Sequence, residues 1–257
     1  MKYKFFNFKT FSWKKYLAET LSIFIAVFSA FALNNWNQNN RDLNAEVSVL
    51  KEVKSAIIDD LRAIDNNRRG NMLSREAIFF MRKLIDNKTI SLDSTALYYD
   101  CLFEDYKFLY NKTGVEGLNS KGLEIIEDDK LRNKITYYYN YFFDFYMKTQ
   151  EENGKAEVYK NYFFPVNDIL VKYLVFNEKG QLYRIKQPIT LSHIEKNKLL
   201  TYLWQIESGR DLKIELYEVF EDRLKKLEER VSNTLNEKLG VEPTKKPISK
   251  KDSISNK

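Results

Sequence analysis

The sequence predicts an all-α protein, with a single N-terminal transmembrane helix that continues into an extracytoplasmic helical bundle. Three observations predict this class. One stretch near the N-terminus is apolar enough for lipid, apolar residues recur every three or four positions along much of the remaining chain, and glycine and proline are few, at 8 and 4 of 257 residues. One small β-hairpin is the exception that the pattern leaves open.

The apolar stretch occupies residues 17–33 and contains one charged residue, Glu19. At 1.5 Å per residue it forms a helix roughly 25 Å long, which is at the short end of what spans a hydrocarbon core. We therefore assign residues 16–34 to a transmembrane helix. Aromatic residues suited to the two membrane interfaces stand at its ends: Trp13, Tyr16 and Trp36.

The charges on either side of this helix predict its orientation. Residues 1–15 carry five lysines and no acid, whereas the segment after the helix mixes both signs. By the positive-inside bias, the N-terminus lies in the cytoplasm and the bulk of the chain in the periplasm, anchored in the inner membrane. A cleaved signal peptide is the alternative, because Ala30-Phe31-Ala32 has the spacing of a cleavage site. The acidic Glu19 and the lack of a helix breaker favour a permanent anchor.

Small or short polar side chains recur at every fourth position of the helix, namely Ala18, Ser22, Ala26, Ala30 and Asn34. Such a stripe lets another backbone approach closely, so it predicts self-association or docking to a partner membrane protein. Chance composition is the alternative. Glu19, the ionisable group at membrane depth, either forms a snorkelling ion pair with Lys15 or belongs to a proton path.

The membrane segment also carries a motif, which begins at Ala18-Glu19-Thr20 and ends at Leu33-Asn34-Asn35-Trp36-Asn37. It resembles the membrane segment of a family of uncharacterised single-pass proteins found widely in Bacteroidota. Those chains typically have Gly-Glu, a short apolar helix and Asn-Asn-Trp-Asn, followed by a helical domain. Ala18 and Ala26 stand here where the family usually has glycine, so the stripe still consists of small residues.

A second match lies downstream, at residues 117–124, 131–135 and 138–139. It is similar to the family's Leu-x-x-x-Gly-x-x-x-x-Ile, helix, Tyr-Tyr pattern. The two matches together cover about the first 145 residues. The resemblance implies a membrane location and a helical extracytoplasmic domain. It implies no catalytic residues, because the family has no assigned activity.

The net charge of +6 is confined to the two ends of the chain, residues 1–15 and residues 240–257, while residues 41–239 are close to neutral. A body that binds nucleic acid needs a concentrated basic face, so the charge distribution argues against nucleic acid as a partner. Residues 240–257 combine lysines with prolines and little apolar surface, which predicts a disordered tail.

Apolar periodicity divides residues 35–239, the predicted extracytoplasmic domain, into helices. The predicted helices cover residues 43–64, 72–85, 95–110, 113–122, 129–162, 192–208 and 210–239. Breaks are predicted at residues 66–70 and at Pro165, and Asp128 is predicted to open a long helix. Residues 172–176 and 181–186 are the strands of the small hairpin.

Aromatic residues fill all but two of the positions 137–146, so their rings cover every side of the predicted helix. A helix that is apolar all round is enclosed by its neighbours, which predicts an aromatic core. A ligand pocket is the alternative. The residues predicted to form this core or pocket are Tyr138, Tyr141, Phe142 and Phe145.

The chain contains one histidine, His193, and one cysteine, Cys101. An intramolecular disulfide is thereby excluded, and so is a zinc site with the usual His and Cys ligands. We expect Cys101 to be a small buried hydrophobic residue and His193 to be a capping or surface residue. No catalytic, cofactor-binding or metal-ligating residue is predicted, although a hydrolytic carboxylate pair formed in space is left open.

These observations predict a non-catalytic, membrane-anchored scaffold or accessory subunit of a membrane complex. Its expected partners are the lipid bilayer and either a membrane protein or a second copy of the chain. The runner-up is a sensor whose aromatic helix lines a ligand pocket, with no small-molecule ligand identified. A stator-like, proton-coupled subunit that works through Glu19 is the third hypothesis.

Overall fold

A computed structural model describes residues 13–88, 90–91, 94–152 and 157–241, without the side chains of residues 15 and 149–152. Within these residues the protein is predominantly helical, which confirms the predicted class. Three expectations concern residues or side chains outside the described part. They are the basic N-terminus, the ion pair with residue 15 and the tail from residue 242 onward.

Seven α-helices and two strands follow one another in the described residues. They are α1 (Trp13–Ile85), α2 (Thr95–Phe103), α3 (Thr113–Lys121), α4 (Asp129–Tyr137), α5 (Phe143–Glu152), α6 (Val158–Leu170), β1 (Leu174–Phe176), β2 (Leu182–Ile185) and α7 (His193–Leu239). Short 3₁₀ turns occupy Leu123–Ile125 and Val171–Tyr173, and a π turn at Tyr138–Phe142 joins α4 to α5.

The chain divides into two compact units, Met1–Ser48 and Val49–Lys257, and helix α1 contributes residues to both. The first unit, as far as it is described, consists of α1 alone. The apolar side chains of residues 17–33 are exposed, and Phe24 and Phe28 stack on each other with ring centroids 6.4 Å apart. Among the described residues, α1 is the one helix whose length and composition would allow it to cross a membrane.

In the second unit, α1 and α7 run antiparallel. Ion pairs along the two helices show the register, because the partner's number on α7 falls as the residue number on α1 rises. The pairs are Lys54–Glu228, Arg75–Asp211, Arg82–Glu207 and Asp86–Lys196. Half-exposed pairs of this kind contribute about 0–1 kcal/mol each, so they set the register more than they stabilise the fold.

One apolar cluster forms where the last turns of α1 meet α2, α6, the hairpin and the first half of α7. Met81, Leu102, Leu170 and Leu203 are among its fully buried members. The expected break at Pro165 does not occur, since Pro165 lies inside α6. Residues beyond it on the same helix, such as Leu170, are buried in this cluster, and their packing holds the segment helical despite the missing hydrogen bond.

Several local predictions are confirmed. The side chain of Asp128 caps α4 by accepting hydrogen bonds from the backbone N–H groups of the first turn. Helix α7 begins within one residue of the predicted start at 192, where Ser192 forms a capping box with Glu195 that was not predicted. Gly122 follows α3 with a φ of +98°. The hairpin pairs β1 and β2 antiparallel, with a bulge after Val175.

Two further predicted helix breaks are wrong, and both involve glycine. Helix α1 passes through residues 66–70 without interruption. A Cβ at Gly70 would lie 2.3 Å from ring atoms of Tyr106, so this glycine makes room for an aromatic ring against a continuous helix. Helix α7 likewise passes through the buried Gly209, and the next residue, Arg210, is tied to α1 and to the end of α2.

The predicted helix over residues 95–110 is too long, because α2 ends at Phe103. The backbone turns extended at Glu104, and residues 104–112 form neither helix nor strand. We call residues 104–112 the strap. The ring of Phe108 in the middle of the strap is buried among rings of α5 and α7, which a continuing helix would not allow.

Candidate functional site

The small-residue stripe lies on α1, and all five of its residues are exposed. The hydroxyl of Ser22 donates a hydrogen bond to the backbone carbonyl of Ala18 at 2.8 Å, so the helix itself satisfies this polar group. The three predicted interfacial residues Trp13, Tyr16 and Trp36 are also exposed. The stripe therefore presents small side chains with no strong polar demand, which suits close contact with another helix.

The stripe winds around α1, because four residues advance an α-helix by about 40° more than one turn. A second helix that follows such a ridge crosses at an angle of about −40°, as in other small-residue contacts between membrane helices. At that angle the two helices diverge on either side of the crossing. A helix that packed along the stripe would therefore make its closest contact at Ser22, Ala26 and Ala30, the middle of the stripe.

Glu19 is exposed on the same helix. Whether it pairs with residue 15 stays a prediction, since the side chain of that residue lies outside the described part of the chain.

The aromatic segment splits into an inner and an outer row of rings. Tyr139, Phe143 and Tyr146 are buried, and the last two contact Phe220 of α7 at centroid distances of 5.8 and 4.5 Å. Two of the residues predicted for this core, Tyr138 and Phe142, are half-buried, and Phe142 lies 4.9 Å from the same Phe220 ring. The inner side of the segment is thus packed against the Phe220 ring of α7.

The other two predicted core residues, Tyr141 and Phe145, are at the surface, with 61% and 62% of their area exposed. With Tyr137 they form the outer row, in which neighbouring rings lie 5.6 and 6.5 Å apart. A regular α-helix would rotate the third ring of such a series away from the first. The π turn has more residues per turn than an α-helix, so it offsets this rotation and keeps the rings of each row on one side of the segment. The periodicity of the sequence did not reveal it.

Buried charged side chains hold the strap. Arg210 of α7 is completely buried, and its guanidinium donates hydrogen bonds to the backbone carbonyls of Leu102 at 3.3 Å and Glu104 at 2.6 Å. On the other side it donates to Ser74 Oγ at 2.9 Å and Asn71 Oδ1 at 3.3 Å, both on α1. Arg210 therefore satisfies the carbonyls at the end of α2 and joins three elements.

Lys213 lies one turn further along α7 and is also buried. Its ammonium donates to the backbone carbonyl of Tyr106 at 3.4 Å. Burial lowers the pKa of Lys213 to about 8, and the positive charge of Arg210 acts in the same direction. Two cations thus face the first half of the strap.

A buried carboxylate holds the second half of the strap. Asp60 of α1 has 1% of its area exposed. Its Oδ1 accepts a hydrogen bond from the backbone N–H of Asn111 at 2.6 Å, and its Oδ2 accepts one from the hydroxyl of Tyr139 at 2.8 Å. Burial raises the pKa of Asp60 to about 6, although the two hydrogen bonds oppose the rise and the charge of Asp59 adds to it.

A second carboxylate, Asp144 of α5, binds the strap from outside. It accepts hydrogen bonds from the hydroxyl of Tyr110 and from Lys112 Nζ. These two donors hold the pKa of Asp144 below its ordinary value. Asp144 is exposed, unlike Asp60, so its charge remains hydrated.

An open groove of about 770 Å³ lies on the second unit, between α1 and α2. Phe79, Phe80 and Tyr98 give it an aromatic lining, and Lys83 Nζ lies 4.4 Å from the centre of the Phe79 ring. Its charged lining mixes both signs, because it includes Glu76 as well as Lys83. A volume in this range accommodates a small ligand or part of a partner protein.

Cys101 and His193, the cysteine and the histidine of the chain, lie in surroundings that explain a structural role. Cys101 is buried as expected, and burial raises the pKa of its thiol, which lowers its reactivity. His193 begins α7, exposed as expected, with Nε2 3.2 Å from Asn197 Nδ2. Among the residues that the structure describes, no group of three or more His, Cys, Asp or Glu side chains is placed to hold a metal ion.

Sequence analysis missed Asp60, Arg210 and Lys213, although a signal for them is present. Asp60 stands between Ile57 and Ile64 on the buried stripe of α1, and the two cations stand on the buried face of α7. A charged residue at an apolar-stripe position requires a buried partner. The sequence does not reveal that partner, because here it is largely the backbone of the strap.

Comparisons with protein families, with curated proteins and with solved structures found no match for this chain.

Proposed function

We propose that this chain is a membrane-anchored, non-catalytic docking protein, a scaffold or accessory subunit of a membrane complex. One observation carries the proposal: the apolar window of α1 has no buried residue. Leaving apolar side chains in water costs roughly 25 cal/mol per Å², so a contiguous apolar surface of this length requires lipid or protein to cover it. A bilayer covers most of it, and the small-residue stripe offers a place for a second helix.

The second unit supports docking more than ligand sensing. The aromatic segment, which a sensor would use as its pocket, is filled by its own rings and those of α7. A ligand-binding role would have to use the groove between α1 and α2, which is open and lined by both signs of charge. The resemblance of the membrane segment to the single-pass family of Bacteroidota supports the same architecture, an anchor followed by a helical domain.

Substitution at the centre of the stripe tests the docking. Ala26→Leu places a bulky side chain at the proposed crossing and should weaken the complex by about 1–2 kcal/mol, which is roughly 5- to 30-fold. Ala32→Leu is the matched control, because it makes the same change away from the stripe. The measurement is the amount of complex extracted in mild detergent, with two differently tagged copies of the chain to separate self-association from docking to another protein.

Loss of the complex in Ala26→Leu alone supports the proposal. Equal loss in both variants, or no loss in either, contradicts a contact through the stripe.

The proposed orientation places the N-terminus in the cytoplasm and the second unit in the periplasm of an inner membrane. The lysines of residues 1–15 support it through the positive-inside bias. An enzyme that is active outside the cytoplasm and inactive inside it, fused after residue 241, should be active. Activity of a cytosolic reporter at the same position would reverse the orientation, and release of the fusion from the membrane would favour the cleaved signal peptide.

A further inference from the structure

We propose that Asp60 and the strap form a proton-operated latch, closed when the Asp60 carboxyl is neutral and loosened when it is charged. The latch joins three elements at one buried carboxyl. Asp60 belongs to α1, the N–H of Asn111 belongs to the strap, and the hydroxyl of Tyr139 belongs to the π turn. This regulatory device is independent of the membrane contact proposed above.

The strap is the element that such a latch would release. It has no helical or sheet hydrogen-bond ladder of its own, so side chains of other elements fix it. Its first half is fixed by Arg210, and Phe108 is fully buried. Leu109, the next residue, has 72% of its area exposed. The chain therefore leaves the core at this point. Asp60 holds the half that follows from inside, and the exposed Asp144 binds it from outside.

Charged and titratable groups approach Asp60 from the elements around it. On α1, Asp59 is adjacent and forms an ion pair with Arg62 at 2.9 Å. The strap brings Tyr110 and Lys112, and both bind Asp144 of α5. The π turn brings the phenol of Tyr139, and α7 faces the same cluster with the rings of Tyr217 and Phe220.

The cations in this neighbourhood thus pair with Asp59 and Asp144 at the surface. Two hydrogen bonds from neutral donors, Asn111 N–H and Tyr139 O–H, support the buried charge of Asp60. That support is weaker than the hydration that a carboxylate has in water, so burial of the charged form is unfavourable. Opening the strap restores water to the carboxylate.

The direction of the pH effect follows from linkage. The pKa of Asp60 is about 6 in the closed state, against 3.8 for an ordinary aspartate, so the closed state binds the proton more tightly than the open state. Stability of the closed state is full below about pH 4 and declines as pH rises through about 6. Between pH 5 and pH 7.5, these two pKa values make opening about tenfold more favourable.

Hydrogen exchange of the full-length protein in detergent micelles tests the latch. After correction for the intrinsic rate, protection of backbone amides in residues 109–113 should fall about tenfold from pH 5 to pH 7.5. In Asp60→Asn the difference should disappear, because the amide carries no charge. Its oxygen still accepts from the Asn111 N–H, and its NH2 group donates to the hydroxyl oxygen of Tyr139. Asp59→Asn, the neighbouring control, should keep most of the pH dependence, because burial and not the charge of Asp59 is the main cause of the raised pKa of Asp60.

Equal protection of the wild-type strap at the two pH values overturns the proposal, as does a pH dependence that survives in Asp60→Asn. Tyr139→Phe gives a second test that does not rely on substituting the carboxyl. It removes a hydrogen bond that lowers the pKa of Asp60, so the midpoint of the loss of protection should move to higher pH. A midpoint that stays unchanged in this variant also overturns the latch.

Discussion

Helix α1 contains two segments whose apolar side chains differ in exposure to solvent. In residues 17–33 the side chains of Ile25, Phe28 and Phe31 all point outward and are exposed. In residues 49–85 apolar side chains such as Leu50 and Ile57 are completely buried, and the outward positions carry charges. The first segment is apolar on every side, and the second has one apolar face.

The difference shows that the stable distribution of apolar side chains around a helix depends on the medium that surrounds the helix. A helix that is apolar all round matches lipid, whereas a helix with one apolar face matches water and a protein core. The transition from one pattern to the other along α1 is the main sequence signal for an anchor followed by a water-soluble body. Substitutions in each segment test this comparison.

The largest effect is expected in the core of the second unit. Phe220→Ala removes a buried ring that contacts Phe142, Phe143 and Tyr146, and the cavity should cost about 3–5 kcal/mol of unfolding free energy. Phe145→Ala, in the exposed outer row, should change stability by less than about 0.5 kcal/mol. Denaturant unfolding of both variants in detergent measures this. Similar losses in the two variants would contradict the division into inner and outer rows.

A slightly smaller effect is expected in the apolar segment. Ile25→Lys places a charge at its middle and should make insertion into a membrane less favourable by about 3–4 kcal/mol. The matched substitution Ile58→Lys, at an exposed position of the second unit, should leave membrane association unchanged. The fraction of protein that resists carbonate extraction reports the outcome. If Ile25→Lys resists extraction as well as the wild type, the segment does not serve as the anchor.

The latch gives the smallest effect, about tenfold in local opening between pH 5 and pH 7.5. It tests a second difference between the two regions, which concerns charged residues. Exposed apolar residues dominate the first segment, whereas the second unit buries charged ones. A pH response confined to the strap would show that these buried charges, and not the surface ion pairs, make the body sensitive to its surroundings.

The sequence predicted the elements whose signals are local. The cap at Asp128 satisfies backbone N–H groups within one turn, and the glycine after α3 adopts a positive φ, so neighbouring residues alone determine them. The hairpin and the burial of Cys101 also follow from short-range patterns. Predictions of helix ends at Gly70 and Gly209 failed, because in both helices tertiary contacts outweigh the weak helix propensity of glycine.

The candidate site was predicted less completely, and the reason differs between its parts. The stripe on α1 follows from spacing alone, since a single helix determines it. The aromatic rows depend on a π turn that places Tyr139 inside and Tyr141 outside, and no apolar period distinguishes the two in a run where nearly every residue is aromatic. Asp60 and Arg210 depend on a strap that lies far from each of them in the chain.

By itself, then, the sequence determined the helical class, the apolar segment near the N-terminus and the cap at Asp128, because each depends on residues within one or two turns of one another. Only the tertiary structure decided that α1 and α7 are continuous through their glycines, that residues 104–112 form a strap, and that a carboxylate and two cations are buried against it. The physical reason is that a buried charge is tolerated only where distant backbone groups meet it with hydrogen bonds, and folding alone brings those groups together.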